Sequence, residues 1–296
     1  MFKINTKPAT YFLGIEIETR EDGILINQSS YTKKILRQFG MENCRPVMTP
    51  IVKDSDNQNH IIMKDDINVI LKNYRQIVGA LAYLMVGTRP DIAYAVSVVS
   101  RNLENPTEMD CVKLKRIMRY LQYAPDTGIL YKKDYKKRIL ECYSDADHGG
   151  CTITGRSTTG VLCMYAGGAV SWMSRRQSSV AISTTEAEVV AASEGARECI
   201  WLIRLMNDLV GLKETPILQV DNEAAIRLAE NPEFHKRTKH IRIRHFFVRE
   251  LVKNGNLKIR KVSSDHQLAD ILTKPIPRPR LYKIISSVGL HNERRC

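Results

Sequence analysis

Ile139-Leu-Glu-Cys-Tyr-Ser-Asp-Ala-Asp147 is an apolar run that ends in two closely spaced aspartates, and Gly149-Gly150 follows it. This pattern predicts a buried strand that ends at the wet rim of a sheet, where Asp145 and Asp147 could serve as metal ligands. Acidic residues after a strand are more often part of a solvated turn. The stretch therefore becomes informative only together with other acids.

Three further acidic positions lie where a carboxylate can point at the same rim. They are Glu186 or Glu188 early in a predicted helix, Asp221 at the end of a short apolar strand, and Asp270 in a short terminal helix. A two-metal phosphodiesterase site needs several convergent carboxylates, which hold two divalent ions about 3.5 to 4 Å apart. Together with Asp145, these acids predict such a site.

The composition favours a polyanionic partner. The chain has 296 residues, with 45 Lys plus Arg against 32 Asp plus Glu and a formal net charge of +13. Nucleic acid is the commonest partner of so basic a protein, although an ordinary basic surface gives the same count. The length is sufficient for two domains that each bury a core.

Cysteine usage and hydropathy indicate the compartment. The seven cysteines occur singly, without a Cys-x-x-Cys pair. This favours reduced thiols over a disulfide framework or a zinc ribbon. No signal peptide or transmembrane segment is predicted, because no uncharged apolar run approaches about 20 residues. We expect an intracellular protein, cytoplasmic or nuclear, that has no membrane partner.

The first half is predicted to be a β-hairpin followed by helices. Residues 11–28 are β-rich runs on either side of Asp22-Gly23, which is a strong hairpin signal. Residues 43–66 lose periodicity and are predicted to be a loop. Apolar spacing predicts helices after a cap at Ser29 or Ser30, from Asn73 to Gly87, from Asp91 onward, and over Thr107 to Tyr123.

The second half is predicted to be an α/β domain with one central mixed sheet. A Ser183-Thr-Thr-Glu186 capping box begins a long helix that extends to about Leu209. The predicted strands are 139–145, 159–165, 169–173, 217–221 and 257–262. The other predicted helices are 222–228, 239–254 and 268–273.

Nine stretches, in this order along the chain, resemble one family. They are Tyr11-Phe-Leu-Gly-Ile-Glu-Ile, Tyr74-Arg-Gln-Ile-Val-Gly-Ala-Leu-Ala-Tyr-Leu, Gly87-Thr-Arg-Pro-Asp-Ile-Ala-Tyr-Ala-Val, Lys115-Arg-Ile-Met-Arg-Tyr-Leu, Tyr143-Ser-Asp-Ala-Asp, Ser183-Thr-Thr-Glu-Ala-Glu, Val220-Asp-Asn, Thr238-Lys-His-Ile and Leu268-Ala-Asp-Ile-Leu-Thr-Lys. Residues 11–275 thereby resemble the C-terminal part of copia-type long-terminal-repeat retrotransposon Pol polyproteins. That part comprises the end of the reverse transcriptase and a ribonuclease H domain.

The resemblance implies an α/β fold with a ribonuclease H-like mixed five-stranded sheet and flanking helices. A small hairpin-plus-helices module, like a reverse transcriptase thumb or connection, precedes it. The implied domains are a reverse transcriptase remnant over 1–130, a ribonuclease H-like domain over 137–276 and a basic C-terminal tail over 277–296. Because no Tyr-x-Asp-Asp turn precedes Phe12, no polymerase activity is expected from this chain.

The resemblance also implies an activity: metal-dependent hydrolysis of the RNA strand of RNA:DNA hybrids. The family's catalytic and metal-binding carboxylates match Asp145, Glu188, Asp221 and Asp270, with two Mg²⁺ ions, or Mn²⁺, as cofactors. Glu188 is preferred because Glu-Val-Val-Ala-Ala resembles the sequence after the catalytic glutamate of ribonucleases H; Glu186 then keeps the capping role. The alternative is a decayed or host-retained module that binds nucleic acid without hydrolysis.

The implied partners are an RNA:DNA hybrid and the upstream reverse transcriptase portion of the polyprotein, in a cytoplasmic virus-like particle. Contacts to 2′-hydroxyls would select the hybrid. An ordinary solubilising surface explains the candidate contact residues equally well. These candidates are Arg156, Ser157, Thr158, Thr159, Arg175, Arg176, Gln177, Arg242, Arg249 and His266.

The chain also departs from the family pattern. His148 stands where the family usually has Trp, and Asp110-Cys111 stand where it has His-Trp. We therefore expect altered packing in the helical module and in the first loop of the site.

Overall fold

The computed structural model describes residues 8–53, 64–135, 139–230 and 239–292. Its strands are β1 (Tyr11–Phe12), β2 (Ile15–Thr19), β3 (Gly23–Asn27), β4 (Gly128–Lys132), β5 (Glu141–Ala146), β6 (Thr158–Tyr165), β7 (Gly168–Arg176), β8 (Ile217–Val220), β9 (Lys258–Lys261) and β10 (Leu290–His291). Its α-helices are α1 (Ser29–Gln38), α2 (Lys64–Gly87), α3 (Ala93–Val99), α4 (Glu108–Tyr123), α5 (Thr184–Val210), α6 (Glu223–Glu230), α7 (Lys239–Lys253) and α8 (Arg278–Ser287). Short 3₁₀ helices cover Pro90–Ile92, Ser100–Asn102, Ser264–His266 and Leu268–Leu272.

The first sheet is antiparallel and has the strand order β1-β2-β3-β4-β10. The predicted hairpin is confirmed as β2 and β3. Strand β4 was not predicted. It is short and follows a loop, and its pairing with β3 and β10 brings together segments that are far apart in sequence.

The C-terminal segment, expected to be a basic tail, is folded as far as residue 292. Helix α8 buries Leu281, Ile284 and Ile285, and β10 adds a strand to the first sheet beside β4. The expectation of a tail was wrong because these apolar residues at helical spacing are interspersed with basic ones. Strand β4 also extends beyond the boundary expected at residue 130.

Helices α1 to α4 enclose a core of their own. Helix α2 begins at Lys64, earlier than predicted, and Ile67 and Ile70 pack on that core. At the start of α1, Asn27 Oδ1 accepts a hydrogen bond from Ser29 N at 3.0 Å. Both serines lie inside the helix, and its N-cap residue is Gln28, whose side chain makes no capping hydrogen bond, so the predicted serine cap is not formed.

The Gly87-Thr-Arg-Pro90 break is stabilised by a buried ion pair. Arg89 Nη2 lies 2.8 Å from Asp91 Oδ2, and both side chains are almost fully buried. Tyr120 OH donates to the same oxygen at 2.7 Å, and Arg89 Nη1 donates to the Ala124 carbonyl at 3.1 Å. Because a buried charge is costly without its partner, this set holds α2 and α4 together at the break.

Asp110 and Cys111 are accommodated without disturbance. Thr107 N donates to Asp110 Oδ2 at 2.9 Å, and Asp110 N donates to Thr107 Oγ1 at 3.2 Å, which completes a capping box for α4. Cys111 is fully buried in the helical core. Asp110 therefore caps α4, and Cys111 packs in the helical core.

The second sheet has the strand order β7-β6-β5-β8-β9. Pairs β7·β6 and β6·β5 are antiparallel, whereas β5·β8 and β8·β9 are parallel. Helix α5 packs on one face of this sheet, and the 3₁₀ helix Leu268–Leu272 lies against the other. The predicted mixed five-stranded sheet is thereby confirmed.

The two halves of the chain share a core. Ala93 and Ile129 of the first half lie in one apolar cluster with Leu162 and Ala169 of the second sheet. Trp172 Nε1 also donates to the Met85 carbonyl at 2.8 Å. The first half therefore covers one face of the second sheet.

Cys142 and Cys163 form a disulfide across β5 and β6. They are register partners on these neighbouring strands, so strand pairing brings them together. The expectation of reduced thiols was wrong for this pair, because the 21-residue separation carries no local signal. Helices with the length and apolar content to cross a membrane are absent from the parts of the chain that the structure describes.

Candidate metal centre

The first two acids of the centre meet because β5 and β8 are parallel neighbours. Tyr143 pairs with Gln219 in their register, so Asp145 and Asp221 each lie two residues beyond a paired position. Parallel strands present these ends at the same edge of a sheet. Glu188 reaches this edge from the N-terminal part of α5, which packs against β5.

Asp145, Glu188 and Asp221 each place one carboxylate oxygen within 4.8 Å of the others. Asp145 and Glu188 are buried, and Asp221 is half-buried. Glu188 Oε1 accepts a long hydrogen bond of 3.4 Å from Ala146 N, whereas its Oε2 has no hydrogen-bond partner among the described residues. Glu188 is therefore brought against two other acids with one long hydrogen bond to its carboxylate in the described structure.

The pKa values reflect this crowding. Burial, followed by repulsion from Asp145 and Asp221, raises the pKa of Glu188 to about 9. Burial and then Asp145 also raise the pKa of Asp221. A desolvated carboxylate beside like charges holds its proton unless a cation is present.

Asp270 lies beside these three acids but does not belong to the group whose carboxylate oxygens lie within 4.8 Å of one another. It sits in the 3₁₀ helix Leu268–Leu272, and its carboxylate contacts Lys274 Nζ at 2.6 Å and Arg280 Nη2. Thr273 Oγ1 donates to Asp145 Oδ2, which ties this helix to β5. Burial, followed by repulsion from Asp145, raises the pKa of Asp270 to about 7.

Glu186 occupies the capping position that the sequence suggests. Ser183 Oγ accepts from Glu186 N at 3.1 Å, and Glu186 Oε2 accepts from Ile182 N at 2.9 Å. Of the two glutamates, Glu188 is the one in the carboxylate cluster. Its role as a metal ligand stays a prediction.

The glycine-rich loop is held by its own polar groups. Asp147 Oδ1 accepts from Thr158 N, and Ser157 Oγ accepts from Gly149 N at 3.1 Å. A Cβ at Gly150 would lie 2.0 Å from Asp147 Oδ2, so this close approach requires glycine. His148, at the position where the family usually has Trp, is exposed.

Four of the expected substrate contacts are buried and bonded within the protein, which differs from the prediction. Gln177 Nε2 donates to Thr159 Oγ1 and to the Ala187 carbonyl, both at 3.0 Å. Thr158 Oγ1 accepts from Arg101 Nη2 at 3.2 Å. The sequence suggests that polar residues near a site bind substrate. In the structure, these side chains instead form hydrogen bonds with buried backbone and side-chain groups of the protein. The four are Ser157, Thr158, Thr159 and Gln177.

The basic candidates have mixed environments. Arg175, whose side chain is 61% exposed, pairs with Glu194 at 3.1 Å. Arg176 Nη1 lies 3.7 Å from Cys151 Sγ, and Arg249 stacks over the Phe246 ring at 5.0 Å. Arg156 is half-buried.

Two candidates remain. His266 is exposed at the rim, and its Nδ1 lies 2.8 Å from Ser263 Oγ. Arg242 lies on α7, but its side chain is outside the described residues.

Sequence reasoning missed three groups that contact the acids. Thr273 and Lys274 follow Asp270 in the Leu-Thr-Lys stretch, and Arg280 belongs to α8. The i,i+4 spacing of Asp270 and Lys274 is a detectable ion-pair signal. No local pattern marks Arg280, which lies within the segment expected to be a tail.

The donor set suits a hard divalent cation. Carboxylate oxygens are the ligands that Mg²⁺ and Mn²⁺ prefer. Glu188 Oε2 is buried without a hydrogen-bond partner in the described structure, and the pKa values of Glu188 and Asp221 are raised. Asp145, Glu188 and Asp221 are therefore the residues that could hold an ion, with Asp270 adjacent.

Sequence relatives identify the family. The chain is 39% identical over 290 residues to the retrovirus-related Pol polyprotein from transposon TNT 1-94 of Nicotiana tabacum. The match covers 96% of this chain and 22% of the tobacco protein. The chain belongs to the copia-type retrotransposon Pol polyproteins. It is also 37% identical over 281 residues to the polyprotein from transposon RE2 of Arabidopsis thaliana, covering 95% of this chain and 19% of the relative. It thus spans about a fifth of the length of these Pol polyproteins.

Among solved structures, the copia-type chain is similar to LC11-RNase H1 isolated from compost, with 16% identity and a TM-score of 0.37. That match covers 50% of this chain and 99% of the other. No family model matches the chain. Family membership rests on the sequence relatives.

Proposed function

We propose that this Pol segment is a ribonuclease H, which hydrolyses the RNA strand of RNA:DNA hybrids with the help of divalent cations. The observation that carries the proposal is the convergence of Asp145, Glu188 and Asp221 at the open edge of the second sheet. Three buried or half-buried acids converge there, and the ammonium group of Lys274 lies 3.6 Å from Asp145 Oδ2. A cation site explains the arrangement directly.

In the proposed reaction, Asp145 and Asp221 are the rigid ligands because each is attached to the end of a strand. Glu188 completes the site from α5 and must release its proton before it can serve as a ligand. The cations, when bound, would supply an activated water and stabilise the charge on the departing 3′ oxygen. Thr273 holds Asp145 in place through its hydroxyl.

The hybrid is the proposed substrate because a net charge of +13 favours a nucleic acid and the similar tobacco protein is a retrovirus-related Pol polyprotein. Recognition would rest on 2′-hydroxyls and backbone phosphates, with little sequence preference. The basic candidates that are exposed or half-buried continue as candidates: Arg156, Arg175, Arg176, Arg249 and His266. Arg242, whose side chain lies outside the described residues, also stays a candidate. On binding the hybrid, Arg175 would break its ion pair with Glu194 and form one with a backbone phosphate.

The domain organisation follows the same proposal. We assign residues 1–130 to the end of a reverse transcriptase and 137–276 to the ribonuclease H domain. Helix α8 joins the second unit through the apolar cluster, and β10 joins the first sheet.

Cleavage of a labelled RNA strand tests the proposal. The intact chain is incubated with an RNA:DNA hybrid or with duplex RNA, in Mg²⁺ or in EDTA. We expect cleavage of the hybrid only, and only with Mg²⁺. Asp221→Asn should lower the rate on the order of a hundredfold or more, because it removes a ligand charge.

Asp208→Asn is the matched control, because Asp208 is an exposed carboxylate far along α5. It should leave the rate unchanged. Hybrid binding without cleavage by the wild-type chain would contradict hydrolysis and favour a binding module. The ion pairing of Asp270 by Lys274 and Arg280 is the observation that favours that second candidate.

A further inference from the structure

Lys274 brings a positive charge into the carboxylate site. Its Nζ lies 2.6 Å from Asp270 Oδ1 and 3.6 Å from Asp145 Oδ2. One ammonium group thus bridges Asp145, which the proposed function assigns to metal binding, and the adjacent Asp270. These contacts are made on the same side of β5 as the Thr273 hydroxyl that bonds Asp145 Oδ2.

The position of Lys274 conflicts with a divalent cation on the same two aspartates. A magnesium ion binds oxygen at about 2.0 to 2.1 Å, so it needs the oxygen atoms that the ammonium group contacts. Two cations a few ångströms apart also repel each other strongly in a partly desolvated site. The ammonium group and the metal ion cannot both occupy this place.

Lys274 can leave the site without rearranging the fold. Its side chain is 41% exposed, whereas the side chains of Asp145 and Asp270 are almost fully buried. Arg280 would remain on Asp270, because its guanidinium also donates to the Ser264 carbonyl. The buried acids are therefore the fixed part of the site and the lysine is the movable part.

We propose that Lys274 is the internal counter-ion of Asp145 and Asp270 and that a divalent cation binding to these aspartates displaces it. This inference rests on the proposed metal site and deepens it. Lys274 is then a positioning residue: it keeps the acids together in the metal-free chain and weakens metal binding by competition. It occupies the site with a charge of +1 until a cation with a charge of +2 arrives.

Manganese titration of the intact chain tests the inference without any nuclease assay. Mn²⁺ binding is measured by isothermal titration calorimetry, and thermal unfolding is measured in EDTA and in Mn²⁺. Lys274→Met keeps the apolar stem and removes the charge. We expect it to bind Mn²⁺ roughly tenfold more tightly, to have a lower Tm in EDTA, and to gain more Tm from Mn²⁺ than the wild type.

Lys283→Met is the control, because Lys283 is an exposed lysine of α8. It should leave both the Kd and the Tm values unchanged. Lys274→Gln serves as a second variant if Lys274→Met does not fold, since it keeps a hydrogen-bond donor without the charge. It should also bind Mn²⁺ more tightly than the wild type.

Unchanged or weaker Mn²⁺ binding by the Lys274 variants would overturn the counter-ion role. Failure of every variant and of the wild type to bind Mn²⁺ would overturn it together with the metal site. If the variants bind Mn²⁺ more tightly but the wild type cleaves no hybrid, the counter-ion role stands and the proposed hydrolysis fails. The two proposals are therefore separable.

Discussion

Glu188 shows at the scale of one residue how burial prepares a metal ligand. Its carboxylate is enclosed by α5 and β5 and faces Asp145 and Asp221, so the charged form is disfavoured. In the metal-free folded chain, Glu188 keeps its proton up to a pH of about 9. In the unfolded chain it is an ordinary glutamate, so it loses that proton above the usual glutamate pKa. The folded state is thus favoured at low pH and loses this advantage as the pH rises towards 9.

Glu188→Gln should therefore change how stability depends on pH in the absence of metal. The neutral amide keeps the shape and the acceptor for Ala146 N but cannot ionise. The stability of the variant relative to the wild type should rise from pH 5 to pH 8 by on the order of 4 kcal/mol, since each pH unit in this window costs the wild type about 1.4 kcal/mol. Urea unfolding in EDTA at both pH values measures this difference.

Glu214→Gln is the control for this prediction, since Glu214 is an exposed glutamate in the loop before β8. Its difference from the wild type should be the same at both pH values. A pH-independent effect of Glu188→Gln would mean that Glu188 ionises normally in the folded chain.

At the scale of elements, the site depends on how closely β6 approaches the 3₁₀ helix Leu268–Leu272. A Cβ at Gly160 would lie 2.7 Å from Thr273 Cγ2, 2.9 Å from the Ala269 carbonyl oxygen and 2.9 Å from Leu272 Cβ. Gly160 is also the register partner of Asp145 on β5. The absence of a side chain there lets the segment carrying Asp270 and Thr273 lie against the sheet.

Gly160→Ala should push that segment away. We expect a loss of about 1 to 3 kcal/mol in the free energy of unfolding, as for an overpacked core position. Mn²⁺ binding should also weaken, because Thr273 can no longer hold Asp145. Urea midpoints and calorimetric titration measure the two effects.

Gly79→Ala is the matched control at element scale, because nothing lies within 4 Å of a Cβ at this position in α2. It should stabilise the chain by up to about 1 kcal/mol through helix propensity. Equal effects of the two substitutions would show that the close approach at Gly160 has no energetic consequence.

At the scale of the whole molecule, the two halves are expected to unfold together. Ala93, Ile129 and Leu162 belong to one apolar cluster, and the Trp172 indole bonds the Met85 carbonyl. A core shared by both halves makes partial unfolding costly, since opening one half exposes apolar surface of the other.

A single-tryptophan variant tests this cooperativity. The chain has two tryptophans, and Trp201→Phe removes the exposed one. Trp172, which lies between the two halves, then reports the tryptophan fluorescence by itself. The urea transition followed by Trp172 fluorescence should coincide with the transition followed by far-ultraviolet circular dichroism. Separate midpoints would show that the halves unfold independently.

The sequence by itself predicted most of the helices and strands and two of the three acids that meet at the sheet edge. Asp145 and Asp221 were recognisable because each ends an apolar strand. The capped helix offered Glu186 or Glu188, and only the resemblance to the copia-type family favoured Glu188. Periodicity, capping and turn signals act over a few residues, so they survive in the sequence alone. The same signals placed the hairpin and α5.

Only the tertiary structure decided which groups meet. Asp145 and Thr273 are 128 residues apart, and no local pattern pairs them. Ser157 and Gln177 looked like binding residues and proved to be buried partners of the protein itself, whereas Lys274 proved to lie between two acids. Long-range contacts depend on which strands pair and on which faces of the sheets are covered by other elements. These features are set by the fold of the whole chain and not by any local stretch of sequence.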